Sequence, residues 1–210
     1  DSVLSRGLGD VYKRQTQALA EQQLIGQLSQ VLENAESLLI ELQEMSRLER
    51  GLITPNPTTF RLYSLFQQLE AEFMPLVQEK SLQLRIAKTE LWVSSDERML
   101  LRILQNLLAN AVRYTRRGGI VLGARRDGTD RVRIEIWDSG SGIAEDQKEY
   151  IFQEFKRGDN AAGIGLGLGL AITRRLAELM GHPLGFQSKP GQGSKFYLHL
   201  PRAEPQRTLQ

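Results

Sequence analysis

Asn106 and Asn110 are four residues apart, a spacing that sets both amides on one face of a helix, and Arg113 follows one turn later. An amide oxygen is a neutral hard ligand for a Mg²⁺ ion carrying a triphosphate, and a guanidinium beside it would neutralise phosphate charge. The plainer alternative is a face that caps or packs, with Arg113, Arg116 and Arg117 as a solvated run. Asp138 heads a second group, DSGSG over residues 138–142, at the exit of the apolar stretch containing Ile134, Ile136 and Trp137. A carboxylate partly buried there could accept a hydrogen bond from an adenine amino group, while Gly140 and Gly142 let the backbone pass close under a flat base. An ordinary turn is the alternative. The third group is glycine: 15 of the 19 fall between Gly118 and Gly193, and Gly163, Gly165, Gly167 and Gly169 alternate. Such a run opening into a helix can aim backbone N–H groups and the helix dipole at phosphate, or it can be a hinge. It lacks the lysine of a P-loop, and it follows no clear strand, which counts against a dinucleotide fingerprint.

The elements that would hold these groups read as follows. Residues 1–15 (DSVLSRGLGDVYKRQ) have no sustained period and read as a tail, either a native extension or a foreign scar or assembly artefact. From Thr16 to Arg50, Leu24, Leu28, Leu32, Ala35, Leu39, Leu42 and Met45 recur by threes and fours, predicting a long amphipathic helix that packs on its own domain or dimerises. Gly51, Pro55 and Pro57 end it and open a linker over 51–57. A second unit, 58–201, starts with an extended TTFRL and a helix toward Glu79. Leu82 to Ile86 and Leu91 to Val93 suggest a hairpin, and Asp96 caps a long helix to about Tyr114. Ile120 to Arg126 and Arg131 to Trp137 flank an Asp-Gly turn and predict an antiparallel pair. Leu168 to Met180 reads as a helix, and Leu184 to Ser188 with Lys195 to Leu200 as a closing hairpin before a tail at 202–210. Strands and helices come in runs, so the fold class is α/β, with helices on one face of a mixed sheet.

Composition narrows the chemistry. The chain is 210 residues long, 40% hydrophobic and 25% charged, as expected of one globular domain with a smaller appendage. Without cysteine there is no disulfide framework, thiolate zinc site or cysteine nucleophile. His182 and His199 stand in no metal-ligand spacing, and there is no GxSxG elbow for acyl hydrolysis. A net charge of +2 predicts no nucleic-acid partner, and no apolar run is long enough to cross a bilayer, so the expectation is a cytoplasmic segment without membrane contact.

The order of the motifs is more specific than any one of them. NLLANAVRYT, then DSGSG, then IFQEFKRG over 151–158, then GLGLGLAI, then GQGSKFYLHLP resemble the N, G1, F and G2 boxes of sensor histidine kinases of two-component systems. The resemblance implies the two-layer Bergerat sandwich shared with gyrase-type, chaperone and mismatch-repair ATPases. ELQEMSRLERG before it is similar to the second helix of the dimerisation and phosphotransfer domain, which would make 16–50 that helix. Carried over, Asp138 would read the adenine amino group, and Asn110 would ligate Mg²⁺ with Asn106 in support. Arg113 and Tyr114 would contact phosphate and nucleotide. Gly140 and Gly142 would shape the base pocket, and Gly165, Gly167 and Gly169 would close on the phosphates of ATP. Ser194 would join Asp138 through a water, Arg157 would reach phosphate from a short lid, and Phe152 and Phe155 would anchor that lid.

The family's acceptor histidine, on the first helix of the hairpin, has no counterpart here. His182 and His199 lack its surroundings and read as structural, so the expectation is a truncated kinase that binds Mg²⁺-ATP without phosphorylating itself. The resemblance implies a homodimer for the full-length protein and a response regulator receiver domain as partner. Two other functions remain: an ATP-gated docking module, and a hydrolysing ATPase, which would place a glutamate base where this chain has Asn106.

Overall fold

The computed structural model describes residues 24–26, 28–29, 31–32, 35–36, 38–154 and 167–205. The chain divides into two compact units, Asp1–Leu42 and Gln43–Gln210. In the first, every described residue is helical, in keeping with the amphipathic pattern, and Leu24, Leu28, Leu32 and Leu39 are exposed. The start of that predicted helix, from Thr16, lies outside the described residues, as does the 1–15 tail.

The second unit opens on helical residues 43–49 (α1), whose Met45 is buried and whose Glu44 pairs with Arg102 at 2.8 Å. There follow β1 (Thr58–Arg61), α2 (Leu62–Glu79), β2 (Gln83–Ile86), β3 (Trp92–Ser95), α3 (Glu97–Tyr114), β4 (Gly119–Arg126) and β5 (Arg131–Asp138). A short 3₁₀ turn at Glu145–Gln147, α4 (Gly169–Leu179), β6 (Leu184–Lys189) and β7 (Gly193–Ala203) complete it. The strands form one mixed sheet in the order β1-β3-β7-β5-β4-β2, with β6 beside the first half of β7. β2 and β4 run parallel, and the other pairs are antiparallel.

One face of this sheet is apolar. Ile120 and Leu122 of β4, Val132, Ile134 and Ile136 of β5, and Phe196, Leu198 and Leu200 of β7 are buried and alternate with polar or exposed residues. Against it pack helices with matching stripes: Leu65, Phe66, Leu69 and Phe73 on α2, Ile103, Leu104, Leu107 and Leu108 on α3, and Ile172 and Leu176 on α4. The opposite face carries Arg125 and Arg133 against Glu135, and Lys195 over the Trp137 ring at 4.6 Å. This is the expected two-layer α/β sandwich with helices on one face.

The predicted β4–β5 pair and the closing β6–β7 hairpin are present, although β7 runs on to Ala203 and there reaches β3. The predicted hairpin between Leu82–Ile86 and Leu91–Val93 is not. β2 pairs with β4 at one edge of the sheet, and β3 lies between β1 and β7 toward the other. An alternating strand of four residues carries the same pattern whichever neighbour it takes. Here the crossover through α3 delivers β4 alongside β2, as a parallel pair requires. Among the described residues, no helix is long and apolar enough to cross a membrane.

Candidate nucleotide site

Asp96 starts α3, the helix that carries both asparagines. Its Oδ1 accepts the Met99 N–H at 3.0 Å, satisfying a first-turn donor, and its Oδ2 accepts the Asn56 N–H at 2.9 Å. Burying one stripe of α3 leaves Asn106, Asn110 and Arg113 on a less covered strip, with Asn106 and Asn110 half-buried and Arg113 exposed. Asn106 is engaged: its Nδ2 donates to the Gly169 carbonyl at 3.1 Å and lies 3.5 Å from the Thr173 hydroxyl. It therefore ties α3 to the first turn of α4. Asn110 and Arg113 form no side-chain hydrogen bond or ion pair with another described residue. α4 opens at Gly169 just after Gly167, and its N-cap residue, Leu168, makes no side-chain cap bond among the described residues. Gly163, Gly165, Phe155 and Arg157 lie outside the described residues. Phe152 packs edge-on against Phe186 at 5.7 Å.

Asp138 ends β5 in the middle of the sheet, opposite Ile120 on β4 and Ser194 on β7. It shares the helix-facing side with Ile134 and Ile136, and burial pushes its carboxyl above the usual aspartate range. The N–H groups of Gly140, at 2.9 Å, and Ser194 pull the other way. The loop after it is held at both ends. Ser139 Oγ accepts the Gly119 N–H at 2.9 Å, and the Ser141 N–H reaches the Tyr114 carbonyl at 3.3 Å, bringing Gly140 beneath the end of α3. On the other side the Gly191 N–H donates to the Ser141 carbonyl at 2.7 Å, and the Ile143 N–H to Ser188 Oγ at 2.8 Å. This contact requires glycine. Gly142 (φ +67°) would place a Cβ 2.1 Å from the Lys189 carbonyl oxygen, and Gly193 (φ +89°) one 1.9 Å from that of Asp138.

Of the sequence-derived site residues, Asp138, Gly140, Gly142, Tyr114 (through its carbonyl) and Ser194 thus meet around one end of β5. Asn106 and Gly169 meet at the start of α4. Ser139, Ser188 and Thr173 take part without having been singled out, since a serine or threonine in a strand or helix carries no local mark of its partner. His182 is buried, its Nε2 2.8 Å from Ser95 Oγ, and burial lowers its pKa. His199 Nδ1 lies 2.8 Å from Asp127 Oδ2. Each histidine has a structural partner.

The profile of the histidine kinase-, DNA gyrase B- and HSP90-like ATPases matches residues 95–204. Sensor protein GacS of Pseudomonas syringae pv. syringae is 35% identical over 191 residues, covering 85% of this chain and 21% of its own length. Sensor histidine kinase AruS of Pseudomonas aeruginosa is 31% identical, covering 92% of this chain and 20% of its own. The chain therefore spans about a fifth of the length of these curated relatives. Among solved structures, full-length ShkA in complex with AMPPNP superposes with a TM-score of 0.72 at 32% identity, over 80% of this chain and 35% of that one.

Proposed function

Because this chain belongs to the histidine kinase-, DNA gyrase B- and HSP90-like ATPase family, as the ATP-binding catalytic domain of a sensor histidine kinase, we propose that it binds Mg²⁺-ATP and presents the γ-phosphoryl group to a histidine outside residues 58–201. The observation that carries this reading is Asp138, a partly buried carboxylate at the end of β5 whose Oδ1 accepts a backbone N–H, beside a loop that glycines pack closely against Tyr114 and Lys189. It accepts the adenine amino group, with Ser194 beside it. Gly140 and Gly142 form the floor of the base pocket.

At the phosphate end Asn110 would hold the ion. Mg²⁺ usually keeps several waters and takes only one or two protein ligands besides phosphate oxygens, so a single amide oxygen fits it. When bound, the ion neutralises charge building on the transferred group. Arg113 and Arg157 add cations, Tyr114 contacts the nucleotide, and Gly165, Gly167 and Gly169 close on the phosphates. Asn106 braces α4 from α3 and so supports Asn110's neighbourhood. An amide already donating to Gly169 is no general base, which disfavours steady ATP hydrolysis.

The described histidines, each bonded to a structural partner, do not serve as acceptors. Residues 16–50 act as the second helix of the dimerisation and phosphotransfer hairpin, in a cytoplasmic homodimer that passes phosphate to a response regulator receiver domain. Calorimetry tests the core of this. Mg²⁺-ATP binds the parent chain, and Asp138→Asn weakens it by about tenfold to a hundredfold, the worth of a hydrogen bond to a charged group. Equal affinity in the two proteins, or stable phosphate on His182 or His199, would overturn the reading.

A further inference from the structure

We propose that Ser188 is a positioning residue for the base pocket, an inference that rests on the nucleotide reading and names what keeps Asp138 and its loop aligned. Ser188, Ser194 and Asp138 are directly opposed on the adjacent strands β6, β7 and β5, so they form one row across the sheet. Ser188 Oγ lies 3.0 Å from the Gly193 carbonyl, 3.0 Å from Ser194 Oγ and 2.8 Å from the Ile143 nitrogen. A hydroxyl has one proton and two lone pairs. The Ile143 N–H can only donate and the Gly193 carbonyl can only accept, so Ser188 gives its proton to Gly193 and accepts from Ile143. Its remaining lone pair takes the Ser194 proton.

All three capacities of the hydroxyl are thus spent on the two segments that shape the base pocket. Ile143 closes the loop that begins at Asp138, and Gly193 and Ser194 open β7, with Ser194 directly opposite Asp138. The pair is also locked sterically, because Gly142 abuts Lys189 and Gly193 abuts Asp138, with no slack for a shifted register. Ser188 needs no contact with nucleotide to act here. It fixes the direction of the Ser194 proton and the distance between loop and strand, and so the shape into which adenine fits.

The test uses the whole chain with Ser188→Ala and Ser188→Thr, titrated with Mg²⁺-ATP and with Mg²⁺-tripolyphosphate, alongside hydrogen exchange at the Ile143 amide. Ser188→Ala weakens ATP about fivefold to twentyfold, leaves tripolyphosphate unchanged and speeds Ile143 exchange. Ser188→Thr, which keeps the hydroxyl, restores both. Should the alanine variant not fold, Ser188→Cys, close in size but a weak acceptor, gives the same pattern. ATP affinity equal to the parent's overturns this inference alone, as does an equal loss for ATP and tripolyphosphate. Absence of ATP binding by the parent overturns the nucleotide reading and this inference with it.

Discussion

The two ends of the proposed nucleotide site, its base end and its phosphate end, are built by different means. At the base end the shape is made of backbone: carbonyls of Tyr114, Ser141 and Gly193, N–H groups of Gly119, Gly140, Gly191 and Ile143, and serine hydroxyls between them. At the phosphate end it is made of side chains on one helix, of which Asn106 is committed to α4 while Asn110 and Arg113 have no bonding partner among the described residues. A flat, rigid base is best read by a surface already in place. A charged phosphate chain with its ion can draw in long side chains and helix N–H groups through charge alone. The base end is therefore costly to alter and the phosphate end cheap, a contrast that mutation can break.

The largest effect is expected at Gly193→Ala. A Cβ there meets the Asp138 carbonyl at 1.9 Å in a left-handed conformation, so the fold should lose about 3 kcal/mol or more. Denaturant unfolding would show it, and a loss under 1 kcal/mol would mean that the two segments yield more easily than their contacts suggest. Asn110→Ala should spare stability and weaken Mg²⁺-ATP about tenfold, with no change when the metal is chelated. A similar loss with and without metal would move Asn110 from ion to nucleotide. Asn106→Ala should cost about 1 kcal/mol of stability, because its donor to Gly169 is structural. Thermal unfolding unchanged from the parent would return Asn106 to the ligand side of the comparison.

The smallest effect concerns the carboxylate itself. Burial raises the Asp138 pKa above its unfolded value, so the native state binds the extra proton and the charged form costs stability once pH rises through the folded pKa. Asp138→Asn should thus melt slightly higher than the parent at neutral pH, with the gap closing on acidification toward the unfolded pKa. Parent ATP binding should fall over the same range as the acceptor is protonated. A variant less stable at neutral pH would show that the Gly140 and Ser194 N–H groups outweigh burial.

How much of this was legible beforehand varies by element. The Asp96 cap, the β4–β5 pair and the β6–β7 hairpin were readable because each depends on residues close in sequence: an acceptor three positions from its donor, or strands joined by a tight turn. The supposed β2–β3 hairpin failed for the converse reason, since partner choice between short alternating strands lies in a crossover tens of residues long. Asp138, Gly140 and Gly142 were visible as a motif. Ser188 was not, because its three partners come from two separate segments.

The sequence alone determined which surfaces of the second unit are apolar, where α3 begins, and which residue types were available for a base, an ion and a phosphate chain, since periodicity and residue chemistry are local properties. Only the tertiary structure decided that Asn106 spends its amide on α4 while Asn110 does not, and that one serine on β6 ties the loop after Asp138 to β7. Hydrogen-bond partners across a sheet or between helices are assigned by packing. A side chain's type sets how many bonds it can make, and the fold sets with whom.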